Sequence, residues 1–250
     1  MAVINSVIAK GVHEIRMNWP EVRNAMGADE AVELGGALKA AIDDPDTRVI
    51  VLSGEGNAFS AGGNLPAIAE LAKNGHDFVK NVLYSVFQNL YRTIKESSVP
   101  VFGLVEGPAV GLGCDLALAC DARVVNERAS FRYGWSNVGL ISAVGGILEM
   151  RKLVGGSELW SFISGNSLSG VRAGELGVAI YNDDARSTVL AMASKIAEMN
   201  PEVLLATKQL TLIDDIDVYL PRAALFQAGL ITSPGFAESA MNMLERAKSK

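Results

Sequence analysis

The sequence predicts an α/β fold built from repeated strand–strand–helix units. Short apolar segments with the length of strands alternate with segments in which apolar residues recur at helical spacing. Several of the strand-like segments follow one another through turns and not through long helices. This order favours stacked ββα units over a simple doubly wound parallel sheet. The last third of the chain is predicted to be helical.

In the first part of the chain, Val3–Ala9 and Val12–Met17 are predicted strands, and the Lys10-Gly11 pair between them is typical of a hairpin. Residues 29–43 carry apolar side chains at helical spacing, with acidic residues in the first turn, where the helix dipole favours them. Arg48–Ser53 is predicted to be a buried strand. The clearest helix is predicted over 76–96, where seven apolar residues form one stripe.

The second part continues the alternation and then becomes helical. Strands are predicted over 99–105 and 121–126, with a helix of small residues over 110–120 between them. Because the composition shifts near residue 185, we predict a ββα core over 1–184 and a C-terminal helical subdomain over 185–250. The helical segments expected after residue 168 are a short one capped by Ser169, then 185–199, one that begins at Asn200-Pro201, 218–230 and 235–247.

Composition and charge exclude several classes of protein. The 22 basic and 28 acidic residues of the 250-residue chain give a net charge of −6, which argues against nucleic acid as the main partner. No apolar run approaches the ~20 residues of a membrane span, and the N-terminus does not resemble a signal peptide, so we expect a cytoplasmic protein. Cys114 and Cys120 are spaced too widely within one predicted helix for a disulfide. His13 and His76 are expected to be structural or surface residues, and no metal site is predicted.

The first segment that could take part in binding or catalysis is the glycine-rich stretch Ser53–Leu65. It does not fit a dinucleotide-binding fingerprint, because the third glycine position is occupied by Phe59. Its small residues, Ala61-Gly62-Gly63-Asn64, allow backbone N–H groups to approach a ligand closely, and a helix that starts just after them favours an anionic group. An ordinary glycine-rich loop is the alternative interpretation.

The second segment is Val105–Asp121, in which Asp115 lies inside a helix of Leu, Ala and Cys residues. A carboxylate in such a helix is costly unless it is hydrogen-bonded, paired or protonated. Asp115 is therefore a candidate acid/base. A structural role, bonded to a backbone amide or an arginine, is the alternative.

Short motifs occur along nearly the whole chain. They are Asn18-Trp19-Pro20, Arg23-Asn24-Ala25-Met26, Phe59–Leu65, Pro108–Asp115, Ala119–Asp121, the glycines Gly139, Gly145, Gly146 and Gly155, and Ala173–Val178. In this order they resemble the crotonase family, the enoyl-CoA hydratase/isomerase superfamily. Each motif alone is a weak signal, whereas the set is highly specific.

The resemblance implies a crotonase-like spiral of stacked ββα units whose C-terminal helical region forms trimers or dimers of trimers. It implies acyl-CoA or acyl-carrier thioester substrates, as in fatty acid metabolism, with no cofactor beyond the CoA of the substrate. The two backbone N–H groups that hold the thioester oxygen in the family fall on Gly63 and Leu112. The residues that the resemblance places around the substrate are Arg23, Ala25, Ala61, Gly62, Asn64, Leu65, Trp135 and Ala143.

Only one of the three acid/base positions that the resemblance implies carries an acidic residue in this sequence. The first falls on Asp115, the second on Trp135 and the third on Ala143. Hydration in the family uses two carboxylates around one water, whereas a double-bond shift can run on one group that removes and returns a proton. We therefore expect isomerase-like proton transfer by Asp115. Tyr133 and Glu106 are further candidates for assisting it.

Two other functions stay open at this level. One is different crotonase-type chemistry, such as decarboxylation, hydrolysis or carbon–carbon cleavage. The other is a noncatalytic binding or scaffold role within an oligomer, because a fold does not determine a function.

Overall fold

The computed structural model describes residues 3–233, 235, 236 and 241. The strands are β1 (Ile4–Ala9), β2 (Val12–Met17), β3 (Val49–Gly54), β4 (Val101–Val105), β5 (Pro108–Val110), β6 (Ala122–Val125), β7 (Ser130–Arg132), β8 (Leu168–Ser169) and β9 (Ile180–Tyr181). The helices are α1 (Ala28–Asp43), α2 (Leu65–Ala72), α3 (His76–Phe78), α4 (Tyr84–Lys95), α5 (Leu112–Ala119), α6 (Gly146–Leu153), α7 (Gly156–Ile163), α8 (Gly170–Glu175), α9 (Ala185–Ala197), α10 (Pro201–Leu210) and α11 (Ile216–Ile231).

Two sheets organise the strands. The larger has six strands in the order β1-β2-β3-β4-β6-β9, and the smaller has three in the order β5-β7-β8. The predicted hairpin is confirmed, since β1 and β2 pair antiparallel, while the remaining pairs of the large sheet are parallel. The loops that follow β3 and β4 therefore leave the same edge of the sheet, which brings the two glycine-rich segments together.

The long helix predicted over 76–96 is present but interrupted. It starts with α3, passes through a π-helical turn at Val79–Leu83 and continues as α4. Leu83, Phe87 and Leu90 are buried, as the apolar stripe predicts, whereas Val82 is 48% exposed. The wider turn changes which side chains of this helix reach the interior, and it lies next to Tyr84.

Apolar clusters cover both faces of the large sheet. Ile50 and Leu52 of β3 belong to the main core, which includes α1 and α4, while Val49 and Val51 belong to a second cluster with α9. The alternation follows from the two-residue period of a strand. Both faces of β3 are therefore buried in apolar clusters, and this burial specifies its register in the sheet.

The domain boundary differs from the one predicted near residue 185. The chain divides into Met1–Glu198 and Met199–Lys250. Helix α9 belongs to the first unit, because Val189 and Ala193 are buried against strands of the large sheet, with Met192 and Ile196 packed beside them. These side chains are thus used within the first unit.

The second unit contains α10 and α11, which pack against each other. The cap predicted for α10 is confirmed, since Glu202 N donates to Asn200 Oδ1 at 2.8 Å. The helix predicted over 235–247 lies largely outside the described residues. Within the described part of the chain, no helix has the length and apolar character needed to cross a bilayer.

Candidate active site

Asn24 ties the glycine-rich loop after β3 to the segment before α1. Its side chain accepts a hydrogen bond from Trp19 N at 2.9 Å and donates to Ala58 O at 3.0 Å and Phe59 O at 3.2 Å. Asn24 is fully buried and has φ +56°, a left-handed conformation that asparagine tolerates better than most residues. The Asn24 side chain therefore fixes the loop.

Within this loop, Gly63 keeps a backbone donor free. Met26 N donates to Gly62 O at 2.7 Å, and Asn64 N donates to Met26 O at 2.8 Å. The residues on either side of Gly63 are thus anchored, while the Gly63 N–H has no hydrogen-bond partner among the described residues. Gly62 has φ +95°, and a Cβ there would collide with Val110 O, so this position needs glycine.

Leu112 supplies a second free donor at the start of α5. The preceding Gly111 has φ +52° and donates its N–H to Arg132 O at 3.0 Å. The Leu112 N–H precedes the first intrahelical bond and likewise makes no hydrogen bond within residues 3–233. A Cβ on Gly62 would lie 3.3 Å from Leu112 N, so the two glycine-rich segments touch at this point.

A cavity of about 260 Å³ opens where these segments meet. Its wall is mainly apolar, and among the described residues no Asp, Glu, Lys, Arg or His side chain lines it. Gly63 and Leu112, the two residues with free backbone donors, both line it. The complete lining is Ala61, Gly63, Leu65, Ile68, Tyr84, Phe87, Val110, Gly111, Leu112, Gly134, Trp135, Asn137, Val138 and Leu140.

Asp115 lies one turn into α5 and is 2% exposed. Ser142 Oγ donates a 2.8 Å hydrogen bond to its Oδ2. Burial raises the pKa of Asp115 to about 7 from its ordinary 3.8, and this rise is opposed by interactions with Ser142 and with Trp135. Asp115 is not among the residues that line the cavity.

Trp135 contacts both the cavity and Asp115. Its side chain is 6% exposed and lines the cavity. Its indole Nε1 is buried and has no partner with normal hydrogen-bond geometry in the described part of the chain, yet it lies near enough to Asp115 to lower that carboxyl's pKa. The indole N–H therefore lies close to the carboxyl without completing a hydrogen bond to it.

Comparison with known proteins decides the family. The family model described as enoyl-CoA hydratase/isomerase matches residues 7–242. The chain belongs to the enoyl-CoA hydratase/isomerase family.

Relatives across this family match most of the chain. A Mycobacterium bovis protein named a probable enoyl-CoA hydratase is 33% identical over 194 residues, which cover 77% of this chain and 75% of that protein. The 2,3-dehydroadipyl-CoA hydratase of Escherichia coli is 30% identical over 199 residues, covering 78% and 76%. The crystal structure of an enoyl-CoA hydratase from Polaromonas sp. JS666 covers 98% of both chains, with a TM-score of 0.90 and 26% identity. The predicted crotonase fold is thereby confirmed.

The three residues at the acid/base positions of the enoyl-CoA hydratase/isomerase family differ in how they lie relative to the cavity. Asp115 is buried and Trp135 faces the cavity. Ala143, at the third position, does not line the cavity, and its carbonyl accepts a 2.9 Å hydrogen bond from Gln88 Nε2. The structure thus brings the first two positions together and leaves the third outside the cavity lining.

The other predicted substrate-binding residues divide into two groups. Ala61 and Leu65 line the cavity. Arg23 lines a neighbouring cleft of about 320 Å³, which it shares with Ala61 and Arg132. Asn64 caps α2, with Ala67 N donating to its Oδ1 at 3.3 Å.

Ala25 and Gly62 support the loop through their backbones and line neither space. Ala25 N donates to Val22 O at 3.1 Å, and Gly62 O accepts from Met26 N.

Sequence reasoning missed Ser142, Tyr84 and Phe87. The last two belong to the helix predicted over 76–96, whose spacing signals an apolar face without showing that part of it lines a cavity. Of the two further proton-transfer candidates, Tyr133 lies near Asp115, since its Oη accepts a 3.1 Å hydrogen bond from Ser142 N. Glu106 instead pairs with Arg128 and Arg186 at 3.7 and 3.6 Å and does not line the cavity.

Proposed function

We propose that this chain converts acyl-CoA thioesters through an enolate, with Asp115 moving the proton and Gly63 and Leu112 stabilising the oxyanion. The observation that carries the proposal is a buried carboxyl with a pKa of about 7 beside a cavity lined by Gly63 and Leu112, whose backbone N–H groups have no partner among the described residues. A double-bond shift is the reaction that this arrangement supports best.

The oxyanion role rests on two N–H groups that the fold leaves without partners. A donor already used within a helix or sheet cannot stabilise charge that develops on a substrate. The N–H groups of Gly63 and Leu112 are not used in this way among the described residues. Leu112 also lies at the N-terminus of α5, where the helix dipole is positive. Preorganised donors about 2.7–3.1 Å from the developing oxyanion are a large source of rate enhancement in such chemistry.

The acid/base role rests on the environment of Asp115. A group that both removes and returns a proton works best when its pKa is near the working pH, and burial moves this carboxyl there. The second carboxylate of a hydratase is replaced by Trp135, so one group is left to handle the proton. This supports proton shuttling over hydration.

The substrate has to reach Asp115 past Trp135. The carboxyl does not line the cavity, whereas the indole contacts both. The proposal therefore includes a small displacement of the Trp135 ring when the thioester binds. The shorter reach of Asp, compared with the family's usual Glu, also requires the reacting carbon to come close.

The anionic part of CoA is proposed to occupy the cleft next to Ala61. Arg23 and Arg132 line this cleft and provide positive charge for phosphates. The proposed reaction needs no cofactor beyond the substrate's own CoA. A trimer or dimer of trimers in the cytoplasm remains part of this proposal, as does a place in fatty acid metabolism.

A product screen tests the reaction. The purified protein is incubated with enoyl-, dienoyl- and malonyl-type CoA thioesters, and products are resolved by mass spectrometry and NMR. We expect an isomerised enoyl or dienoyl product and little hydrated product. A decarboxylated, hydrolysed or cleaved product would instead assign other crotonase-type chemistry.

Binding of thioesters without turnover is a second candidate, and one observation favours it. Asp115 is absent from the cavity wall, and Trp135 occupies the position of a catalytic acid. Isothermal titration with an acyl-CoA, read alongside the product screen, separates the two. Tight binding with no product from any thioester would establish the binding role, and absence of binding would overturn both.

A further inference from the structure

Ser142 is fixed in place from two directions before it meets Asp115. Its backbone N–H donates to Tyr133 Oη at 3.1 Å. Its Oγ accepts a 3.0 Å hydrogen bond from Gly146 N, at the start of α6. The hydroxyl is therefore preorganised by groups that do not depend on Asp115.

The hydrogen bonds that the Ser142 hydroxyl can still form determine how it interacts with Asp115. A serine hydroxyl has one proton and two acceptor lone pairs. With one lone pair used by Gly146, the proton points to Oδ2 of Asp115 at 2.8 Å. A hydrogen bond donated in this way is stronger to an ionised carboxylate than to a protonated acid, so it favours the charged form.

Gly146 closes the other side of the carboxyl. A Cβ on Gly146 would overlap Oδ1 of Asp115 and would approach Ser142 Oγ to 3.2 Å. The carboxyl is thus confined between a backbone without a side chain and an anchored hydroxyl. Rotation of the carboxyl about its own axis would break the bond to Ser142.

Other ionisable groups face Asp115 from neighbouring elements. Tyr84 and Tyr91 on α4 and Cys114 on α5 each have a pKa raised by burial and by the charge of Asp115. Glu149 on α6 is engaged by Tyr91 Oη at 2.5 Å and by Lys95 at 3.1 Å. Among the described residues, none of these groups donates a hydrogen bond to Asp115, and the Trp135 indole lies near it without completing one. Ser142 is therefore the donor with normal geometry.

We propose that Ser142 is a positioning residue that holds the carboxyl of Asp115 in one orientation and stabilises its charged form. The catalytic meaning of this role rests on the proposed function, whereas the hydrogen bond and its effect on Asp115 do not. Removing the hydroxyl takes away a bond to the charged form, so the carboxyl should bind its proton more tightly.

The test is a carboxyl titration by NMR, which needs no turnover. Aspartate is labelled with ¹³C, and the Asp115 signal is identified by its absence in Asp115→Asn. We expect a midpoint near pH 7 in the wild type, following the pKa of about 7. Ser142→Ala should raise the midpoint by about one pH unit, the scale of one hydrogen bond to a charged group.

Three further variants make the result specific. Ser142→Thr keeps the hydroxyl and should restore the wild-type midpoint. Ser136→Ala removes a nearby exposed hydroxyl that donates to Ile163 O, and it should change nothing. Ser142→Cys is nearly isosteric with a weaker donor, and it should shift the midpoint upward even if Ser142→Ala fails to fold.

The outcomes separate this proposal from the proposed function. An unchanged or lowered midpoint in folded Ser142→Ala, or in Ser142→Cys, would overturn the role of Ser142. If the wild type turns over a thioester, Ser142→Ala should also move the rising limb of kcat/KM to higher pH, with KM within a few-fold. A wild type without turnover would contradict the proposed function, while the titration would still decide the role of Ser142.

Discussion

Gly146 lies directly against Oδ1 of Asp115, and a side chain at Gly146 would occupy the position of that oxygen. The first residue of α6 thereby determines where the buried carboxyl of α5 can be. The contact joins two helices that meet beside the cavity. It explains why a glycine is needed at a helix start where alanine would otherwise be preferred.

We therefore expect Gly146→Ala to displace the Asp115 carboxyl and to lower kcat by about 10²-fold, a scale typical of misplaced acid–base groups. Thioester affinity should stay within a few-fold. Gly156→Ala is the matched control, because Gly156 is also the first residue of a helix and a Cβ there meets nothing within 4 Å. Equal kcat in the two variants would show that the position of Asp115 does not limit turnover.

The pKa of Asp115 predicts a pH-dependent stability. Because the folded-state pKa of about 7 lies above the ordinary 3.8, folding favours the protonated form. The contribution of this group to the free energy of unfolding falls by about 1.4 kcal/mol per pH unit between these values, and the loss is complete above pH 7.

Asp115→Asn lacks this titration. Its stability relative to the wild type should therefore improve by about 2–3 kcal/mol between pH 5 and pH 8, as measured by urea unfolding at both values. If the difference in free energy of unfolding between the two proteins is the same at pH 5 and pH 8, the pKa of Asp115 is not raised in the folded state.

The wall of the cavity predicts a preference for uncharged acyl groups. Within the part of the chain that the structure describes, no charged side chain lines it, so a carboxylate at the end of an acyl chain would be desolvated without a partner. We expect trans-2-octenoyl-CoA to bind at least about tenfold more tightly than 2,3-dehydroadipyl-CoA, since an unpaired polar group costs more than 1.4 kcal/mol. Isothermal titration measures both, and equal affinities would place the acyl tail outside this cavity.

The second unit supports the predicted oligomer. Several apolar side chains of α11 are more than 40% exposed, namely Ile216, Val218, Leu220, Leu225 and Ile231. Exposed apolar faces of this kind are typical of subunit contacts. We expect light scattering to give the mass of a trimer or a hexamer at micromolar concentration, and a stable monomer would contradict this.

Much of the fold could be predicted from local pattern. The hairpin, the buried strand β3 and the helix α1 follow from periodicity and turn residues, because each is specified by its own segment. The chain divides after Glu198 and not near residue 185, because Val189 and Ala193 pack on a sheet formed far earlier in the chain, which composition does not show.

The site was only partly predictable for the same reason. Gly63, Leu112 and Asp115 lie in motifs, and the structure places the first two at one cavity. Ser142 has no motif, and its role depends on how the loop before α6 folds back against α5. Asp115 was expected to transfer the proton, yet it does not line the cavity, whereas Trp135 does.

The central claim, that Asp115 forms the enolate of a bound thioester, is tested most directly by exchange of substrate protons with solvent. Acyl-CoA is incubated in D₂O with the wild type, with Asp115→Asn and with Asp77→Asn, a control at an aspartate whose side chain is 93% exposed. NMR and mass spectrometry then measure deuterium incorporated next to the thioester carbonyl. We predict rapid exchange by the wild type and the control, and a loss of about 10²–10⁴-fold in Asp115→Asn with affinity within a few-fold. Exchange at the wild-type rate in Asp115→Asn would contradict the account.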